Sequence, residues 1–360
     1  MTDETLKIRA LSGRAVTVPM ERPMKTAVGT IPAAPLVLID IETEEGVAGR
    51  AYIFAYTPVM LRPLVAVVEE LAPLLVGKAV APIERMREVE GTFRLLGRQG
   101  LLGMALSVID MALWDILARA QDLPLVRLLG GEPKPIPAYD SYGVIDPARD
   151  REDIERTLES GFRALKIKLG DAGLEKDQAT VAALRDLVGA EIRIMVDYNQ
   201  SRSVPEAIRR IERLEDYDLE WAEEPVPAED LEGHAQVRAA VGVPIQTGEN
   251  WWFAQDMAKA IAAEASDFAM PDVMKIGGVT GWLKAAALAE AASLPVSSHA
   301  FVEASAHLLA VTPTAHWLEV LDKARPILQR PALIENGMVT PQGPGLGMEW
   351  DEAAVKRYAA

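Results

Sequence analysis

The chain has 360 residues, with 37 Lys and Arg against 53 Asp and Glu, a formal net charge of −16 and no cysteine. This acid excess leaves no basic surface to release counterions from nucleic acid or to hold an anionic membrane, so any anionic ligand must be met by local cations. The lack of cysteine excludes disulfides, thiolate metal sites and thiol nucleophiles. The start Met-Thr-Asp-Glu-Thr-Leu lacks the basic-then-apolar pattern of a signal peptide, so a cytoplasmic protein is expected.

Residues 6–18 and 35–45 alternate apolar and polar positions, with Glu44-Glu45-Gly46 as a turn, which predicts an antiparallel meander. Helical periodicity follows at about 58–75, 83–95 and 100–121. The last of these is strongly apolar but carries Asp110, Asp115 and Arg119, which fits a buried soluble helix better than a membrane span. Residues 1–132 therefore read as an α+β N-terminal domain, closed by the breakers of 129–135.

From 133 to 322 the pattern changes to strands alternating with amphipathic helices. Strands are predicted near 136–141, 164–169, 192–198, 219–223, 244–248, 267–271, 295–299 and 316–320. The clearest helix begins at Val204, opened by Ser203 and Pro205. The rhythm is that of an α/β barrel of the TIM type. Beyond it, 323–360 is rich in Pro and Gly and is expected to return to the N-terminal domain.

Seven ionisable residues end seven successive apolar segments, at intervals of 20 to 29 residues: Lys168, Asp197, Glu223, Glu249, Asp272, His299 and Glu319. In a barrel of this kind the C-terminal strand ends meet at one mouth, so these groups converge in space. Asp197, Glu223 and Glu249 would repel one another there unless a cation sat between them. All-oxygen ligation suits Mg2+, with Mn2+ able to substitute. Single strand-end acids often cap a helix or pair with a nearby base; three at matched spacing favour a shared ion. Glu224, adjacent on its strand, is expected to point off the barrel axis.

Lys166 and Lys168 are two apart on one strand and share a face. If that face is the interior, each ammonium lowers the pKa of the other and makes a lysine base available. Asp272 and His299 end neighbouring strands, an arrangement that fixes the imidazole tautomer and lets it give or take a proton. His307 and His316 read as packing residues. Glu319 is left as an acid able to hydrogen-bond a substrate oxygen. Two bases around a divalent cation suit abstraction of the α-proton of a small carboxylate, and bases on opposite faces of that carbon permit racemisation.

At this point the sequence resembles the mandelate racemase branch of the enolase superfamily along essentially its whole length. The resemblance rests on Val-Asp-Tyr-Asn-Gln-Ser (196–201), Trp-Ala-Glu-Glu-Pro (221–225), Gly-Glu-Asn-Trp (248–251), the run from Met-Pro-Asp to Thr-Gly-Trp (270–282) and Ser-Ser-His (297–299). The run 305–319 and Thr-Ala-Val-Gly-Thr (26–30) add to it. It implies an α+β capping domain, finished by C-terminal residues, over a (β/α)7β modified TIM barrel. It also implies Mg2+ on Asp197, Glu223 and Glu249, Lys168 as base for the S enantiomer, and His299 with Asp272 for the R enantiomer. Lys166 would neutralise the substrate carboxylate, Glu319 would donate a hydrogen bond to it, and Ser141 and Asn199 would hold the remaining oxygens. Family members are commonly homo-oligomers, often octamers.

The resemblance departs in the pocket: Ala300 stands where the family's namesake has leucine, Lys25 where it has histidine, Met24 and Ile31 for valines, and Tyr142 for a histidine. Val28, Ile31, Phe54 and Tyr56 offer an apolar enclosure suited to an aromatic ring. The expected activity is racemisation of mandelate or a close aryl analogue. The alternative is an acid-sugar dehydratase that removes the same proton and expels a β-hydroxyl, and a third reading is a metal-binding barrel without catalysis.

Overall fold

A computed structural model describes residues 5–26, 29–169, 173–321 and 323–360. The N-terminal meander forms: β1 (Ile8–Thr26), β2 (Gly29–Thr43) and β3 (Ala48–Phe54) make an antiparallel sheet with β2 in the middle. Its face is set by β3. A Cβ at Gly49 would meet Ala112 O at 2.1 Å and Ile116 Cγ1 at 2.6 Å, so only glycine lets the helix Leu101–Ala120 lie against the sheet. That helix is the one among the described residues long and apolar enough to cross a membrane, and 83 % of its most apolar window is buried inside the protein. Alternation turns Arg50, Tyr52 and Phe54 to the opposite face, towards the barrel and the C-terminal segment.

The barrel strands are β4 (Ile136–Ser141), β5 (Ala164–Lys168), β6 (Arg193–Asp197), β7 (Leu219–Glu223), β8 (Ile245–Thr247), β9 (Phe268–Ala269) and β10 (Leu318–Val320). They pair in parallel and in sequence, and β10 closes on β4 through Leu318↔Ala138 and Val320↔Asp140. The predicted strand at 295–299 is present as a stave but not as a continuous ladder. Pro295 has no N–H, and the next four N–H groups alternate between neighbours, to Thr314 O, Ala269 O, Trp317 O and Pro271 O. Only the bridges Ala269↔Val296, Asp272↔His299 and Val296↔Ala315 result. Seven helices, from Arg151–Glu159 to Val302–Ala310, connect the eight staves. The architecture is (β/α)7β under an α+β cap.

Residues 323–360 divide their contacts. The hairpin Ile334–Glu335 and Met338–Val339 pairs antiparallel with the start of β4, at the end of the barrel away from the mouth. The remainder joins the cap: Thr17 N–H donates to Tyr358 O at 2.8 Å, Trp350 Nε1 to Asp40 Oδ1 at 2.9 Å, and Arg14 pairs with Glu352 at 2.6 Å.

One buried charge ties these parts together. Asp115, fully buried on the helix Leu101–Ala120, accepts Arg50 N at 2.8 Å, Leu346 N at 2.6 Å and Arg119 Nε at 2.5 Å. Arg119 continues to Glu349 and to Met348 O. Breaking a buried pair while stranding its partner typically costs about 3–5 kcal/mol. Asp115→Ala is therefore expected to lower the unfolding free energy by about that amount, read as a reduced denaturant midpoint.

Candidate active site

Strand register builds the mouth. Lys168, Asp197 and Glu223 are mutual Cα partners across β5, β6 and β7, so their side chains form one layer. Glu249 follows β8 through Gly248, whose φ of +138° and close approach to Met270 N (2.8 Å from an added Cβ) leave no place for a side chain. Asp272 and His299 face each other in a parallel bridge, and Glu319 sits within β10 opposite Tyr139. Tyr139, Met195, Trp221 and Met270 form an apolar floor beneath them. All seven residues that the spacing singled out thus come together, each less than a tenth exposed.

Lys166 Nζ lies 2.7 Å from Glu223 Oε1 and 2.8 Å from Glu319 Oε1. Lys168 Nζ lies 2.5 Å from Asp197 Oδ2, which also accepts Asn199 Nδ2 at 2.9 Å, while Asn199 N donates to Oδ1 at 2.7 Å. His299 Nδ1 meets Asp272 Oδ2 at 2.6 Å, and Asp272 Oδ1 accepts Met274 N at 2.6 Å. The carboxylate acceptor places a proton on Nδ1 and aims Nε2 at Glu249 Oε2, 3.2 Å away.

The mutual lowering expected of the lysines is present but outweighed by these contacts. Burial does act to lower Lys168, but Asp197 and then Glu249 outweigh it and Lys166, and the ammonium is held above its ordinary value. Lys166 is likewise raised, because Glu223 and Glu319 outweigh burial. His299 is raised by Glu249, Asp272 and Glu319 against burial. Glu223 is pushed up to about 8 by burial, helped by Asp197, Glu249 and Glu319 and opposed by Lys166.

Glu319 accepts Lys166 Nζ and Ala300 N (2.8 Å), and despite burial Lys166 and His299 hold its carboxyl below the usual range. Ala300 is 1 % exposed and supplies its N–H to Glu319.

Glu224 is a second correction. At φ +37° it leaves the strand conformation, so alternation no longer turns it away. Burial and the nearby Glu249, Asp197 and Glu223 raise its carboxyl well above the ordinary range, and Asn250 Nδ2 donates to both its oxygens at 2.9 Å. Asn250 Oδ1 in turn accepts Lys275 Nζ at 2.5 Å, and that ammonium stands 4.9 Å above the ring of Tyr56. Sequence reading missed Asn250 and Lys275. A lone lysine between Met274 and Ile276 in an apolar run was the available signal.

Of the remaining expected residues, Ser141 is buried at the end of β4, opposite Lys166. Tyr56 stacks on Phe54 with ring centres 4.8 Å apart, on the cap side. Val28 lies outside the described residues. Among the described residues no three acids stand in ready-made metal geometry, since Asp197, Glu223 and Glu249 are each turned to a protein cation. Their chemistry nevertheless fits a hard divalent ion: three carboxylates on consecutive staves, buried, crowding one another and offering only oxygen.

The family profile described as "Mandelate racemase / muconate lactonizing enzyme, N-terminal domain" matches residues 10–130, and "Enolase C-terminal domain-like" matches residues 149–354. The chain is similar to a solved enolase from Bradyrhizobium complexed with magnesium and mandelic acid, at 53 % identity and TM-score 0.98 over 100 % of both chains. It is 33 % identical to the 3,6-anhydro-alpha-L-galactonate cycloisomerase of Streptomyces coelicolor, over 90 % of this chain and 91 % of that protein. It is 31 % identical to the L-talarate/galactarate dehydratase of Salmonella typhimurium, over 89 % of this chain and 81 % of that one.

In the metal-free protein the imidazole of His299 should titrate above the ordinary histidine value, and Asp272→Asn should bring it down. Proton NMR of the four histidines checks this, with His307 as internal contrast: burial pushes it down to about 4.

Proposed function

Because the chain belongs to the mandelate racemase / muconate lactonizing enzyme family of the enolase superfamily, we propose that it abstracts the α-proton of a 2-hydroxy acid of the mandelate type and racemises it. The observation that carries this reading is the placement of two proton-transfer groups. Lys168 stands on the second stave and His299 on the seventh, with the staves of Asp197, Glu223 and Glu249 between them. A substrate carbon held over those carboxylates has a base on either side.

Asp197, Glu223 and Glu249 would hold Mg2+, which when bound supplies positive charge to stabilise the enediolate oxygens. With Asp197 committed to that ion, the anion that raises Lys168 would be withdrawn while the repulsion from Lys166 remained, which would shift Lys168 towards the free amine and base function. Likewise, Glu249 drawn from His299 would leave Nε2 able to accept a proton, with Asp272 holding the ring by Nδ1. Lys166, fixed between two carboxylates, remains a cation to meet the substrate carboxylate. Asn199 holds Asp197 in place from both its N–H groups.

The aryl substrate is supported by the Bradyrhizobium enolase complexed with mandelic acid and by the aromatic wall of Phe54 and Tyr56. A second reading, dehydration or cycloisomerisation of an acid sugar, is favoured by the activities of the Salmonella and Streptomyces relatives. Both begin with the same proton.

Single enantiomers of mandelate incubated with Mg2+ in D2O separate the cases. The protein should exchange the α-proton and racemise both enantiomers, and should stop in excess chelator. His299→Asn should lose racemisation by about 10²–10⁴-fold yet exchange the S enantiomer, and Lys168→Ala should show the reverse. Equal loss of exchange for both enantiomers in both variants would leave a single-base reaction, and keto-acid formation from galactarate without mandelate exchange would favour dehydration.

A further inference from the structure

Lys323 lies on the segment after β10, four residues beyond Glu319, and played no part in the chemistry above. Its side chain is buried, 6 % exposed. Nζ stands 4.4 Å from the ring centre of Phe54 in the cap and 6.0 Å from that of Phe301, which follows the His299–Ala300 stave end. Among the described residues Nζ has no hydrogen bond or ion pair. The carboxylates of Glu319, Asp272 and Glu249 attract it without forming an ion pair, and Lys168 repels it. Burial prevails, bringing the ammonium down to about 8.

An ammonium carries three donors, and holding it in a largely buried pocket with no oxygen partner from the protein leaves them poorly satisfied. Aromatic faces offset part of that deficit through cation–π attraction but accept no conventional hydrogen bond. The other mouth lysines are each supplied: Lys166 by two carboxylates, Lys168 by Asp197, Lys275 by Asn250. Lys323 alone among these four is left facing rings. Those rings belong to the wall on which an aryl substituent would pack, since Phe54 is also the stacking partner of Tyr56. The reacting carboxylate end would be served from Lys166 and the metal-binding acids, and a ring packed on Phe54 would lie beside the Lys323 ammonium.

We propose that Lys323 is a specificity-determining residue that binds an oxygen acceptor, best a carboxylate, at the end of the substrate remote from the α-carbon. The proposal rests on the reading of the site as a 2-hydroxy-acid site, and narrows the substrate class to acids bearing a second anionic or strongly accepting oxygen group on the far side.

The test compares mandelate with meta- and para-carboxymandelate on the full-length, Mg2+-loaded enzyme, by polarimetry. The ratio of kcat/KM for the better carboxylated compound to that for mandelate should fall by about tenfold or more in Lys323→Met, the range for losing one hydrogen bond to a charged group. Lys323→Arg should largely keep the ratio, and Lys323→Gln repeats the comparison should the Met variant fold poorly. An unchanged ratio, or equal loss on both substrates, overturns the proposal. If the wild-type protein turns over no 2-hydroxy acid, the reading of the reaction fails and calorimetric binding of the same compounds decides Lys323 separately. A preference for the carboxylated compound that disappears in Lys323→Met supports it, and equal binding by both proteins overturns it.

Discussion

Six carboxylates are buried around one barrel mouth: Asp197, Glu223, Glu224, Glu249, Asp272 and Glu319, none more than 9 % exposed. An ionised carboxylate out of water is costly unless it is paired and hydrogen-bonded, and neighbouring anions add repulsion. This crowding organises the rest of the site. Lys166 is pinned between Glu223 and Glu319, Lys168 is drawn onto Asp197, and His299 is spanned by Asp272 and Glu249. Each cation is raised because it is serving as counterion. Under the proposed function these same three groups would take up proton transfer and substrate binding once the carboxylates shared another cation, so that the bases are held in reserve as counterions.

That exchange requires exclusion of water, which would otherwise screen the charges and weaken every effect described. The cap supplies it. Tyr52 bonds Glu303 at 2.9 Å and packs against Phe301, while Phe54 and Tyr56 cover the lysines on either side. The cap is in turn held by the C-terminal return and by the buried Asp115, which joins β3, the long cap helix and residue 346. The same sheet thus carries both the Asp115 network and the residues that cover the mouth.

Much of this was legible in the sequence because parallel barrel strands put one charged residue after an otherwise apolar run. Lys168, Asp197, Glu223 and His299 stood out for that reason, and strand register then brought them together without further instruction. What was not legible had local causes. Glu224 was assigned outward by alternation, which fails where the backbone turns left-handed at a strand end. The stave at 295–299 lost its ladder through Pro295 and N–H groups shared between two neighbours. Lys275, Asn250 and Lys323 lie beyond strand ends in segments without periodicity, so nothing in spacing marks them. The pKa of Lys168 depended on which neighbour lay closer, Lys166 or Asp197, and sequence spacing does not rank those distances.

Under the proposed function the buried acids form a site for one divalent cation. Calorimetric titration of Mg2+ into the chelator-stripped protein, paired with thermal unfolding, tests it most directly. One saturable Mg2+ per chain is expected, with a rise in stability that grows with Mg2+, about 2.7 kcal/mol at a hundredfold excess over Kd. Both effects should be lost in Asp197→Asn and Glu249→Gln. Absence of saturable binding, or binding that survives intact in both variants, would contradict it.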